Sequence, residues 1–322
     1  NRSGRGAEAM LSRTADSLFW MGRYTERAGN IARGMQVALR MAGLAGSLGG
    51  AQDEWRGLLV SAGAEHGFRD TGRAVTADAV IRWLALDAEN PSSIANCLEA
   101  ARRNGRAVRT ALTVDMWEAL NDTWREMRAR AGSAAEQDAL PGFLDWVRAR
   151  TLLFNGAAAD TMLRNEGWLF VHLGVMLERA DNTARLLDAK HPALAGPRAD
   201  GAVAYAEWQA LLRSVSALRA FQWVYHTRLQ PDLVADLLLF RQELPRSLVS
   251  CHSRLRSALE AIAEATGGRR GEPQRIAAEI HDRLAKGRIE DVMAHGLHDW
   301  LTAQIDRNIE LGNAIQALYL NG

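Results

Sequence analysis

Apolar residues recur three and four positions apart along most of this 322-residue chain, and the strict alternation of a half-buried strand is scarce. The pattern predicts an all-α protein. Glycine and proline cluster at 43–50 (GLAGSLGG), 131–142 (AGSAAEQDALPG), 191–201 (HPALAGPRADG) and 267–273 (GGRRGEP), which marks breaks between helices. Long helices are expected near 10–42, 52–70, 91–131, 160–190, 202–229, 245–266 and 289–319. Pro91 and Pro245 suit first-turn positions, where a missing N–H costs nothing.

One helical pattern is written twice. GRYTERAGNIAR at 22–33 returns as GVMLERADNTAR at 174–185, an offset of 152 residues. EWRGLLVS and a later Phe68 return as EWQALLRS and Phe221 at an offset of 153, and Pro91, Ser93 and Cys97 match Pro245, Ser247 and Cys251 at 154. Three blocks in one order, drifting by one residue at a time, indicate an internal duplication. Two helical halves are expected, at 10–150 and 160–322, related by a pseudo-twofold axis and packed as one unit around a shared core. Residues 1–9, ahead of Met10, read as a flexible or added tail.

At about 100° per residue, Gly22, Glu26, Asn30 and Arg33 fall on one stripe of the first copy, and Gly174, Glu178, Asn182 and Arg185 on the matching stripe of the second. Such a stripe is ordinarily a solvated face. Identical Glu, Asn, Arg and Gly in both copies argue against that, because a solvated face accepts any polar residue. Two readings remain open. One is a buried, hydrogen-bonded charge network that specifies how the halves pack. The other is a polar cleft near the pseudo-axis, lined by Glu26, Arg27, Asn30, Arg33, Glu178, Arg179, Asn182 and Arg185.

Composition narrows the chemistry. Hydrophobic residues make up 48% of the chain, with ten tryptophans, so a core forms without disulfide or metal. Only Cys97 and Cys251 are present, in no zinc-like spacing, which predicts a reducing, cytoplasmic setting. No apolar run is long enough to span a membrane. The net charge of +1 argues against nucleic acid as partner, and the Arg102, Arg106, Arg109 stripe reads as solvated. GxxxxGK[ST], GxGxxG, GxSxG and HExxH are all absent, so no nucleotide cofactor is expected on this chain. A di-iron bundle needs a histidine three residues after each glutamate, where Gly29 and Asp181 stand, so no metal is expected. Arginines beside each glutamate favour ionised carboxylates, suited to charge pairing or anion binding rather than proton transfer.

MLSRTADSLFWMGRYTERAGNIAR, NPSSIANCLEAARRNGRAVRTALTVDMWEALN, LGVMLERADNTARLLD and LLLFRQELPRSLVSC, in that order, resemble the bacterial Alpha-E family, alpha-helical proteins named for their Glu-Arg motif. Thr25, Gly29 and the Phe240–Arg241 pair depart from its pattern. Members stand beside, or fused to, circularly permuted ATP-grasp proteins resembling peptide or amide ligases, and beside transglutaminase-like proteases. The resemblance implies a helical partner or accessory component of an ATP-grasp-linked, peptide- or amide-bond-forming or peptide-modifying system, with nucleotide and magnesium brought by the ligase. The alternatives are an enzyme in its own right, binding an anionic aminoacyl or peptide substrate in the Glu-Arg cleft, and a structural scaffold.

Overall fold

A computed structural model describes residues 3–45, 51–132, 136, 138–190 and 202–321, and among them there is helix and no strand. The first half of the sequence forms α1 (Ser3–Ala45), α2 (Ala51–Ser61), α3 (Glu65–Asp70), α4 (Ala77–Ala85), α5 (Ile94–Ala107), α6 (Val114–Arg130) and α7 (Leu140–Thr161). Then come α8 (Glu166–Ala189), α9 (Ala202–Ser214), α10 (Leu218–Tyr225), α11 (Pro231–Phe240), α12 (Leu248–Ala265), α13 (Glu272–Ala285), α14 (Ile289–His295) and α15 (Leu297–Ile315), which ends in a π-turn at Gln316–Leu320. Residues 3–9, expected as a tail, continue α1 as helix, and residues 1–2 lie outside the described residues.

The helices start where short polar side chains can take an orphan backbone N–H. Thr76, Ser93, Thr113, Asn165 and Ser247 cap α4, α5, α6, α8 and α12 in this way. Ser93 and Ser247 are the matched serines of the repeat, and each accepts from the amide three residues on, Asn96 or Ser250. Pro91 and Pro245 therefore stand two residues ahead of the caps, not in the first turns predicted for them. Pro141, Pro231 and Pro273 do occupy first turns.

Several expected boundaries move for physical reasons. The helix expected over 91–131 breaks at Val108–Leu112, where a single 3-10 turn separates α5 from α6. Those at 52–70, 202–229 and 289–319 each divide in two, the last at Gly296 with φ of 101°. Four helices, α4, α7, α11 and α13, were not expected.

The core has two large bodies of buried side chains. One joins Leu18, Phe19 and Met21 of α1 to α8, α12, α13 and α15, and the other joins Ile31, Met35 and Ala38 of α1 to α2, α4, α5 and α7. α1 runs through both, packing along α8, α5 and α7. The matched aromatics Trp55, Phe68, Trp208 and Phe221 are all buried.

Candidate functional site

Glycine sets the approach of α1 to α8. A Cβ on Gly22 would collide with the Val171 carbonyl, and a Cβ on Gly174 with the Phe19 carbonyl, so each glycine seats the backbone of the other helix. The crossing places the two copies of the motif against each other. Around it, Glu26, Asn30 and Arg33 are 2 to 4% exposed, which removes the solvated-face reading.

The charges pair across the crossing. Arg27 of α1 donates through Nε to Glu178 Oε1 at 2.6 Å and through Nη2 to Oε2 at 2.9 Å. Arg179 of α8 donates through Nε to Glu26 Oε1 at 3.1 Å and through Nη2 to Oε2 at 3.0 Å. Both contacts are bidentate forks, the strong form of the ion pair. A second guanidinium completes each carboxylate, but from unrelated positions: Arg23, one turn back on α1, reaches Glu178 at 2.8 Å, and Arg246, ahead of α12, reaches Glu26 at 2.9 Å. Asn155 of α7 adds a longer contact to Glu26 at 3.4 Å.

Burial alone would push both glutamates towards their neutral forms. Instead, Arg27 and Arg23 bring Glu178 down to about 2, and Arg179 and Arg246 hold Glu26 lower still. Neither carboxylate is placed to carry a proton near neutral pH. Both thiols are wholly buried, and desolvation pushes Cys97 up to about 12 and Cys251 up to about 11, so neither is a ready nucleophile.

A cavity of about 300 Å³ opens beside the Glu178 side of this network. Of the predicted cleft, Arg27, Asn30, Glu178, Asn182 and Arg185 line it, whereas Glu26, Arg33 and Arg179 do not. The single cleft lined by all eight residues is therefore corrected to a buried network with a cavity on one flank. The cavity wall also holds Arg23, Asp181, Asn308, Asn313 and Gln316, the last three from the C-terminal helix. Three polar atoms of its lining residues are buried without a partner: Asn30 Nδ2, Asp181 Oδ1 and Asn308 Oδ1. Their orientations are defined by the other ends of the side chains. Asn30 Oδ1 accepts from Arg246 at 3.3 Å, Asn308 Nδ2 donates to the Leu177 carbonyl at 3.2 Å, and Asp181 Oδ2 accepts from Arg185 at 2.7 Å. One donor and two acceptors thus lack partners in residues that wall a space of ligand size, the atoms themselves being buried beneath its surface.

Sequence reasoning missed Arg23, Arg246, Asp181, Asn155 and Asn308. Arg23 matches Val175 in the second copy and Arg246 matches Ser92 in the first block, so a search for identities between copies passes over both. Arg27 does touch Ser92, through its Oγ at 3.2 Å. Of the basic stripe, Arg102 and Arg109 lie over the Trp117 ring, and Arg102 also donates to Asn121. Among the described residues no three His, Cys, Asp or Glu gather into a group that could hold a metal, and no helix is long and apolar enough to cross a membrane.

Comparison with known proteins agrees with the helical class and with the Glu-Arg motif. Residues 10–320 match Alpha-E, described as a predicted alpha-helical domain with a conserved ER motif. An uncharacterised protein of Mycobacterium bovis and one of Mycobacterium tuberculosis are each 29% identical to the chain over 319 residues, covering 92% of it. The chain spans only 35% of the length of those relatives. No solved structure matches it. With the ER motif present in two copies and the match running over nearly its whole length, the chain belongs to the Alpha-E family.

Proposed function

We propose that this chain is the helical, non-nucleotide-binding component of an ATP-grasp-linked system that forms or modifies peptide or amide bonds, and that its cavity receives the peptide or aminoacyl group. Within it the Glu-Arg motifs act as an internal brace between two helical halves, 10–150 and 160–322, related by a pseudo-twofold axis. The reciprocal pairs, Arg27 with Glu178 and Arg179 with Glu26, support that symmetry. The observation that carries the reading is the contrast between the two parts of the site. The motif carboxylates are saturated by arginine, while the cavity beside them keeps Asn30 Nδ2, Asp181 Oδ1 and Asn308 Oδ1 unpartnered. A ligand that displaced the side chains covering these atoms would meet one donor and two acceptors, with Arg185 and Arg23, paired to Asp181 and Glu178, at the same wall.

The partner role rests on the family resemblance and on the relatives, in which the matched region is a minor part of the length. The second reading, an enzyme acting by itself on an anionic aminoacyl or peptide substrate, is favoured by the cavity reaching Arg27 and Glu178. One experiment separates them. The chain is mixed with an ATP-grasp ligase from its own organism and peptide substrate, and ADP release is followed with and without Asn308→Ala. Stimulation by the parent chain, lost in the variant, supports the partner reading; turnover by the chain without ligase or ATP supports the second. No complex and no effect on ligase turnover would remove the partner reading.

A further inference from the structure

Arg33 differs from its counterpart Arg185 in a way that leaves positive charge uncompensated. Arg185 pairs with Asp181, one turn back on its own helix. The position one turn back from Arg33 is Gly29, and a Cβ there would press on Thr151 Oγ1 at 2.9 Å, so the α1–α7 packing leaves no room for a carboxylate. Arg33 is 4% exposed, gives Nη1 to the Ser214 carbonyl at 2.9 Å and has no partner for Nε. Burial and then Arg246 bring its pKa down to about 9 against an opposing pull from Glu26, with Arg148 and Arg179 adding lesser downward pushes. Glu26 already carries two guanidiniums.

On the far side of Ser214 lies a groove of about 440 Å³ between α1, α7 and α9, which shares no residue with the amide-lined cavity. Arg40, Arg148 and Arg213 line it, one from each helix. Arg40 and Arg213 are exposed and have no charge partner among the described residues. Arg148 gives Nη1 to Gln36 at 3.0 Å, and its buried Nε is unpartnered. Asp145 is the one carboxylate among the groove's lining residues; it is 71% exposed, accepts from Gln36 at 2.7 Å and stands 3.7 Å from Arg148. Three arginines against one aspartate leave the groove at 3 − 1 = +2, with Arg33 behind its wall.

We propose that this groove binds a phosphate-bearing small molecule, gripped by Arg40, Arg148 and Arg213, with Ser214 and Arg33 behind it. Guanidiniums from three separate helices suit a multiply charged tetrahedral oxyanion better than a flat monocarboxylate, and a surplus of two matches the dianion. The volume leaves space for an organic body beyond the phosphate, and Val37, Leu39 and Ala210 give that body an apolar floor. The site is independent of the peptide-binding reading.

Isothermal titration of the full chain with inorganic phosphate, pyrophosphate and acetate, at low salt and pH 7.5, tests the assignment. Phosphate and pyrophosphate should bind at least about tenfold more tightly than acetate, and Arg148→Gln with Arg213→Gln should weaken them by about tenfold or more. Arg213→Gln alone, at an exposed side chain, provides the test if the double variant folds poorly. Arg125→Gln, a control at an exposed arginine on α6, should bind as the parent does. Acetate binding as tightly as phosphate, unchanged affinity in the Arg213 variant, or no heat with pyrophosphate would each overturn the proposal.

Discussion

Glu26 takes its bidentate partner from Arg179, and Arg179 directly follows the glutamate of the other motif copy, whose own carboxylate is held by Arg27 beside Glu26. Each Glu-Arg dipeptide thus sends its acid to one opposite residue and its base to another. The two pairs are linked through adjacent residues on each helix. Two guanidiniums on each buried carboxylate give the interior cluster of Glu26, Glu178, Arg23, Arg27, Arg179 and Arg246 more positive than negative charge.

Removing one acid from this cluster should be costly, because the arginines it held stay buried. Glu26→Gln is expected to lower stability by about 3–5 kcal/mol. In a double-mutant cycle with Arg179→Met the paired variant should lose less than the sum of the singles. Urea denaturation of the four proteins measures both.

The pH dependence follows from the depressed carboxylates. Glu178 titrates near 2 in the folded protein and Glu26 lower, against an ordinary value of 4.5, so their contribution is complete above about pH 4.5 and is lost as pH falls towards 2. Glu178→Gln should therefore be less stable than the parent at pH 7, with the gap narrowing below about pH 4.5. A series of denaturation midpoints from pH 7 to pH 3 checks the sign. A gap that widens on acidification would contradict it.

The glycines at the crossing should not tolerate a methyl group. Gly22→Ala and Gly174→Ala push against backbone carbonyls, which cannot rotate away as a side chain can, and each should cost about 1–3 kcal/mol or more. Gly156, exposed on α7 with open space where a Cβ would stand, serves as the contrast: Gly156→Ala should gain about 0.4–1 kcal/mol. Thermal melts of the three variants decide it.

The cavity can be altered without touching the brace. Asn182 lines it, is half-buried and lies outside the Glu26 and Glu178 ion pairs, so Asn182→Ala should keep stability within about 0.5 kcal/mol. Its affinity for a short peptide, followed by titration calorimetry, should fall. Unchanged peptide binding would separate the cavity from the function proposed for it.

Cys97 and Cys251 should be silent to a thiol reagent in the native protein and react only as it unfolds. Reaction with an aromatic disulfide, monitored by absorbance with and without urea, gives the number of accessible thiols directly.

Much of this molecule is legible in its residue order. The helical class, α1 and α8 follow from periodicity, and Ser93 and Ser247, matched by position in the sequence, each cap a helix. The missed helices share causes. α7 and α13 begin at Leu140-Pro141 and Glu272-Pro273, where proline opens a helix, although a Gly-Pro cluster reads as a break. α4 and α11 are only nine and ten residues long, below the length at which a helix stands apart from a strand or loop in sequence. At the site, periodicity places Glu26 and Arg33 on a face but does not tell which helix meets that face. The cross-pairing with Arg179, and the part taken by Arg246 from 220 residues further on (246 − 26), depend on tertiary packing alone.

The glycine contacts between α1 and α8 also restrict how the protein can move. Because Gly22 seats the Val171 carbonyl and Gly174 seats the Phe19 carbonyl, neither helix can slide along the other by a turn without driving a side chain into backbone. The bidentate pairs of Arg27 with Glu178 and Arg179 with Glu26, one turn on, oppose a pivot about the same contact. α1 carries Arg27 into the cavity and Arg40 to the arginine groove, thirteen residues and about 20 Å further along its axis. The crossing is therefore fixed in register, and one continuous helix sets the spacing between the cavity and the arginine groove.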